Sequence, residues 1–450
     1  SLLEMNGIRS FLGCIAALAA VSCGSHSPVP HGEIARVREF IRTSWDASVQ
    51  YNPVDSQTLI GLPRPYTVPS VSQTFQELYY WDTYFTNEGL VRDGRLDLAK
   101  NNTEDMLYLV DRYGYMPNGS RTWYLNRSQP PFLCMMVDRV FEETGDRKWL
   151  AGAFATLQKE YDFWMTQRIT PVGLNRYSSS ADDDLKQEFV TTGGRRLGTD
   201  FRDRGLSDAE ILRLGAHFAA EAESGWDFNP RFERRCEDFC PVDLNANLYF
   251  YETLFARYAL LTGDSAAAET WKKRAEKRRG LINRYCLGED GVYYDYDFVN
   301  GRRSTVVSGA VFSLLYAGIP DAEQARTLVE KALGRLEFEY GIAVCEDKPY
   351  EYDYQWSYPN TWPPVVYLAI RGLDTYGYRR DARRIAEKYV AMVVKTFGET
   401  RNLWEKYNVR EGNINVSNEY DMPTMLGWSA GTFIYASDYL DGKIDNQSKL

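Results

Sequence analysis

The feature that most restricts the fold is a strict alternation of two kinds of helical pattern along the chain. One kind carries an apolar stripe on an otherwise charged surface, at 33–45, 97–113, 149–168, 266–285, 322–336 and 381–397. The other is apolar or aromatic nearly all round, at 80–91, 130–143, 244–261, 305–316, 363–375 and 424–439. A striped helix lies between core and solvent, whereas a helix apolar all round is enclosed by other helices. Six of each in alternation describe an all-α (α/α)6 barrel, with six inner and six outer helices. A helical solenoid would alternate similarly but needs a self-similar repeat of fixed period, and none is present. The 450 residues are therefore expected to form one large domain, 24–450, behind a leader at 1–23.

The connections point the same way. Links from an inner helix to the next outer one are short, as in Arg92-Asp93-Gly94-Arg95, Thr144-Gly145-Asp146 and Thr262-Gly263-Asp264. Links in the other direction, at 46–79, 114–129, 169–243, 286–304, 337–362 and 398–423, are long and must emerge at one end of the barrel. Long loops on a rigid scaffold are where binding and chemistry concentrate. The longest carries an extra helical pattern at 207–221 and then Glu223-Ser224-Gly225-Trp226-Asp227-Phe228.

The long loops are rich in carboxylates, amides, Arg and Trp. Glu77, Trp81 and Asp82 are followed by Asn118, Arg127 and Gln129, then Glu223, Trp226 and Asp227, then Gln355 and Trp356, and finally Glu405 and Glu419. Acids and amides bind sugar hydroxyls, Arg forks orient them, and indoles cover apolar ring faces. The 32 Tyr and 11 Trp, more ring surface than packing alone requires, suit that ligand class. A net charge of −10 lacks the basic footprint that a nucleic-acid partner needs. Inverting cleavage of a glycoside requires one protonated and one ionised carboxyl about 6.5–9.5 Å apart. Asp227, beside the Trp226 indole, suits the acid, because lost hydration favours the neutral form. Glu405, Glu419 and Glu77 all remain open as its partner. Asp82 has two readings, helix cap and sugar ligand. Trp81 and Trp356, at loop–helix junctions beside polar groups, are expected in the pocket wall.

Arg9 and the apolar run 11–21, too short to span a bilayer, read as an export leader. Its end, Ala20-Val21-Ser22-Cys23-Gly24, has the form of a bacterial lipobox, in which Cys23 carries the lipid anchor; an ordinary signal peptide is the alternative. Five Cys follow Cys23, an odd number that implies no disulfide framework. Asp182-Asp183-Asp184 offers carboxylates to a calcium ion, against the commoner reading of a solvated acidic run, and the expectation is of no bound metal. No organic cofactor is implied.

Tyr79-Tyr80-Trp81-Asp82-Thr83-Tyr84-Phe85 and Gln355-Trp356-Ser357-Tyr358-Pro359-Asn360-Thr361-Trp362-Pro363-Pro364 resemble the two signatures of glycoside hydrolase family 37, the inverting trehalases of (α/α)6 fold. The likeness continues through Met116-Pro117-Asn118-Gly119, Arg127-Ser128-Gln129-Pro130-Pro131, the Asp227 stretch, Asp243-Leu244-Asn245-Ala246 and Glu405-Lys406-Tyr407-Asn408-Val409. Collinear motifs are far more specific than any one of them. The resemblance places the general acid on Asp227 and the general base on Glu405. It places substrate contacts on Trp81, Asp82, Asn118, Arg127, Gln129 and Glu419.

Three segments depart from the family pattern, one of them the glycine-rich lid before Glu419, which reads Arg410-Glu411-Gly412-Asn413-Ile414-Asn415. Ser70-Val71-Ser72-Gln73-Thr74-Phe75-Gln76 replaces a Gly-Gly-Arg-Phe-Arg run before Glu77, removing an arginine. Ser178 to Ala181 and the three aspartates replace an Arg-Pro-rich segment. An amide does not reproduce a guanidinium fork at a sugar site. The leading expectation is hydrolysis of trehalose. A second is another α-linked disaccharide or oligosaccharide end, and a third is a non-catalytic surface sugar-binding protein.

Overall fold

A computed structural model describes residues 28–72, 74–416 and 422–446. The expected leader with Cys23, and Glu419, lie outside the described residues. Fourteen α-helices occur among the described residues, in this order. They are α1 (His31–Ser44), α2 (Tyr80–Arg92), α3 (Leu96–Tyr113), α4 (Leu133–Thr144), α5 (Arg147–Gln167), α6 (Asp183–Leu197) and α7 (Asp208–Glu223). There follow α8 (Val242–Leu261), α9 (Ser265–Tyr285), α10 (Phe312–Ala317), α11 (Ala322–Leu336), α12 (Pro363–Thr375), α13 (Arg379–Thr400) and α14 (Gly427–Leu440).

Helices α2, α4, α8, α10, α12 and α14 pack each against the next, and α14 returns to α2, closing an inner ring. Helices α1, α3, α5, α9, α11 and α13 lie outside it, so the chain is an (α/α)6 barrel. Every residue from Tyr80 to Leu90 of α2 and from Gly427 to Tyr439 of α14 is buried, as helices apolar all round require. Three inner helices start later than their apolar runs. The run at 305–316 is extended as far as Ser308, whose hydroxyl accepts from Ala310 N, and passes through a 3-10 turn before α10.

Polar groups inside the barrel are spent on helix ends. The α4 N-terminus has no capping side chain of its own. Tyr80 Oη instead accepts from Phe132 N and Leu133 N at 3.1 and 3.0 Å, and Tyr251 Oη from Cys134 N at 3.1 Å. Both hydroxyls donate to Glu160 of α5, whose carboxyl burial pushes up to about 7. One buried acid thereby satisfies three otherwise orphaned donors through two tyrosines.

Helix α7 was expected, and it begins with a capping box between Ser207 and Glu210. Helix α6 was not. Asp182 is its N-cap, accepting from Leu185 N at 2.9 Å, with Asp183 and Asp184 in its first turn. The aspartate run thus has a structural role that needs no cation. Cys134, Cys236, Cys240, Cys286 and Cys345 are buried free thiols.

Ring closure depends on a glycine contact between α2 and α14. A Cβ on Gly431 would sit 1.9 Å from Phe85 O, and one on Gly89 would sit 2.9 Å from Gly431 Cα. The opposing atoms belong to helix backbone and cannot turn aside. Gly431→Ala should therefore lose about 3 kcal/mol or more in urea unfolding, despite the better helix propensity of Ala. An unchanged midpoint would show that the closure tolerates a side chain.

Candidate active site

Long loops from five of the six expected positions converge on one pocket of about 750 Å³, open at the end of the barrel where the inner helices begin. Phe75, Tyr79, Trp81 and Asp82 come from the entry to α2, and Asn118, Tyr124, Arg127 and Gln129 from the loop before α4. Arg196 comes from α6, Gly225 and Asp227 from the segment after α7, and Gln355, Trp356 and Trp362 from the loop before α12. Glu405, Met425 and Trp428 complete it from the α13–α14 side.

The first wall is built by backbone bonds. Asn118 O accepts from Tyr80 N at 3.1 Å, and Gln129 Oε1 accepts from Trp81 N at 3.1 Å. Gln129 thus serves the open N-terminus of α2. The Asp82 carboxyl lines the pocket. Burial pushes that carboxyl up to about 8, with Glu405 and Asp227 adding repulsion.

Asp227 follows a turn that only glycine fits. Gly225 has φ of 75°, and a Cβ there would lie 2.9 Å from Trp81 Cε2. Asp227 Oδ2 accepts from Arg196 Nη1 at 2.8 Å. Gln355 Nε2 donates to Asp227 O, and Trp356 N to Phe228 O at 3.1 Å. Burial moves the Asp227 carboxyl upward, with the charges of Arg196 and Arg127 opposing it.

Glu405 is held from another direction. Lys406 Nζ lies 2.7 Å from Glu405 Oε1, and Trp428 Nε1 donates to Glu405 O at 3.1 Å. Antiparallel pairing of Asn360–Thr361 with Tyr407–Asn408 ties this segment to the loop that carries Trp362. Between the Asp227 and Glu405 segments runs a column of rings. The Arg231 guanidinium sits 4.4 Å from the Trp226 ring centre, Trp226 stacks on Trp356 at 5.1 Å, Trp356 on Trp362 at 3.8 Å, and Lys406 Nζ lies 4.7 Å from Trp362. Both faces of Trp356 are therefore covered. It presents an edge to the pocket, not the ring face expected to cover a sugar.

Three nominated residues stand behind the wall. Glu223 is fully buried, its Oε1 accepting from Arg168 Nε and Ser178 N and its Oε2 from Arg168 Nη2 and Ser128 N, all within 3.0 Å. A carboxylate saturated in this way has no bond left for a sugar, so the substrate-binding expectation for Glu223 is corrected to a structural tie. Glu77 accepts from Tyr79 Oη and Arg121 Nε, each at 2.7 Å, and Trp226 is enclosed in the ring column. Arg196, Tyr124, Phe75, Trp362 and Trp428 line the pocket without having been nominated. Trp362 lay inside a quoted motif, whereas Arg196 was hidden because its helix begins at an acidic run that reads as loop.

The Asp82 shift has a consequence for stability. Its raised value belongs to the folded state, so the unfolded chain releases the proton first, from the ordinary 3.8. Stability then falls as pH climbs from about 4 to about 8, and the loss is complete above that range. Asp82→Asn should remove this cost. In urea titrations the variant should gain a few kcal/mol over the parent at pH 8.5 and little at pH 4.5. A gain of equal size at both pH values would rule the account out.

Residues 35–440 match the trehalase family model. The periplasmic trehalase of Pseudomonas aeruginosa is 32% identical over 438 residues, which cover 91% of this chain and 77% of that protein. Among solved structures, neutral trehalase Nth1 from Saccharomyces cerevisiae superposes with a TM-score of 0.72 at 29% identity, over 92% of this chain and 84% of that one. A mannosylglycerate hydrolase of glycoside hydrolase family 63 from Thermus thermophilus, in complex with glucose, shares the fold. Its TM-score is 0.59 at 18% identity, covering 90% of this chain and 99% of that one. The chain belongs to the trehalase family, glycoside hydrolase family 37, and is a glycosidase.

Proposed function

We propose that the protein hydrolyses trehalose to two glucose molecules with inversion, Asp227 acting as general acid and Glu405 as general base. The observation that carries this reading is the delivery of two carboxyls to one pocket by separate segments, each with its own cation and both braced by the same ring column. Asp227 protonates the oxygen between the two sugars as the glycosidic bond breaks. Glu405 takes a proton from the water that attacks the anomeric carbon from the opposite face. Asp82, Asn118, Arg127, Gln129 and Gln355 offer polar groups to the hydroxyls, and the related trehalases supply the choice of sugar. Glu419 belongs to the same proposal as a substrate contact.

Trehalose joins two glucoses through α-bonds at both anomeric carbons. Inversion at one of them must release one β- and one α-glucose per turnover. Proton NMR during the first minutes should show the two anomers in equal amounts; α-glucose alone would mean retention and would overturn the roles given to the carboxyls. Asp227→Asn should lower kcat roughly a thousandfold or more while the variant still binds trehalose. A fully active variant would sink the assignment.

A second reading, another α-linked disaccharide, is favoured by the run Ser70 to Gln76, which brings no arginine to the pocket. Comparing kcat/KM across α-linked glucose disaccharides separates the two. Export is part of the proposal, in keeping with the periplasmic relative, with lipid attachment at Cys23. Cys23→Ser should move the protein from the membrane fraction to the soluble fraction. If the variant stays with the membranes, the anchor is not at Cys23.

A further inference from the structure

Arg196 stands where an acid catalyst is least expected to keep company. It ends α6, lines the pocket, and places Nη1 at 2.8 Å from Asp227 Oδ2. That contact favours the ionised carboxylate and so works against the burial that raises Asp227, making a proton harder to hold while it lasts. Several charged groups face Asp227. Arg127 approaches from the loop before α4, Asp82 from α2, Glu405 with Lys406 from beyond α13, and Glu221 from the last turn of α7. Arg196 makes the direct contact with the carboxylate. Its side chain retains 24% exposure, lies 5.3 Å from the Phe228 ring centre, and reaches in from the end of a helix that turns away at Gly198. A partly exposed side chain at a helix end has other rotamers open to it towards solvent.

We propose that Arg196 couples substrate binding to catalysis: its guanidinium clamps Asp227 before substrate arrives, and sugar hydroxyls that draw it off free Asp227 to carry a proton. The proposal rests on the reading of Asp227 as the acid. With the clamp open, Asp227 takes a proton from solvent water and passes it to the bridging oxygen as the C–O bond breaks. The attacking water bonds the anomeric carbon and yields its proton to Glu405, which returns it to solvent, so one water is consumed for each pair of glucoses released. Arg196 is in this sense a positioning residue for Asp227 and a ligand for substrate. It would bring to the pocket, from α6, a guanidinium that the segment before Glu77 does not provide.

The pH profiles of the purified enzyme on trehalose test this, because kcat/KM reports the free enzyme and kcat the substrate complex. In the parent, the alkaline limb of kcat/KM should lie below that of kcat. Arg196→Gln should raise the kcat/KM limb by about one pH unit and leave the kcat limb in place. Arg196→Lys keeps the charge and loses the fork, so its limbs should stay where they are while KM for trehalose rises about tenfold. An unmoved kcat/KM limb in Arg196→Gln, or a wild-type KM in Arg196→Lys, would overturn the proposal. Thermal melts establish that folded proteins are compared, and if the Gln variant does not fold, the Lys variant decides through KM. Failure here with Asp227→Asn still inactive leaves the acid assignment standing; an active Asp227→Asn would remove both.

Discussion

The structure of the site depends on three stacked indoles with a cation at each end. Trp226, Trp356 and Trp362 belong to two loops, yet they form one column between Arg231 and Lys406. Each ring pair contributes on the order of 1 kcal/mol beyond its buried area, and a desolvated cation over an indole adds about as much again. The magnitude matters less than the direction. Trp226 is bonded in sequence to Asp227, and Lys406 to Glu405, so the column is a rigid spacer between the two carboxyl-bearing segments. Charged hydrogen bonds anchor its outer end, where Arg231 donates to Asp243 and Asp295.

The barrel supplies what the column stands on. Inner helices pack tightly enough that Gly431 meets the Phe85 carbonyl with no room for a methyl group. The N-termini of α2, α4, α12 and α14 are held around one opening. Capping those termini consumes polar side chains, and the site is assembled partly from them. Gln129 serves the α2 N-terminus while lining the pocket, and Glu160 serves α4 from below through two tyrosines.

The architecture was legible because it rests on periodicity. Buried and striped helices differ in every turn, so the alternation, the short and long connections and the working end all emerge from the order of residues. Pocket membership was legible for Trp81, Asp82, Asn118, Arg127, Gln129, Asp227, Gln355, Trp356 and Glu405, each lying in a loop of recognisable chemistry. What composition could not convey was orientation. Glu223 and Asp227 are four residues apart and both acidic, yet one is saturated by Arg168 and two amides while the other faces the cavity. Trp356 was placed correctly, but its covered faces follow from neighbours more than a hundred residues away in one case. Arg196 was missed for a different reason: its helix is opened by an aspartate cap, and a run of acids gives no apolar stripe at its start.

Among the described residues the pocket gathers three carboxyls, and what separates their roles is the cation each can keep. Among the described residues Asp82 has none in hydrogen-bond contact and is pushed up to about 8, so at neutral pH it is mostly neutral and can donate a hydrogen bond. Glu405 is paired with Lys406, which is fully buried and pinned over Trp362. Such a cation cannot leave without abandoning the ring column, so it stays beside Glu405. Asp227 is paired with Arg196, whose side chain is partly exposed at a helix end. Removing a lysine from beneath an indole costs stacking, desolvation and a salt bridge together; a partly exposed arginine stays near solvent as it turns, where sugar hydroxyls and water can substitute for its contact with Asp227. Two carboxyls of similar chemistry thus come to differ in whether their counter-ion is fixed or removable, which is the distinction a base and an acid in one pocket require.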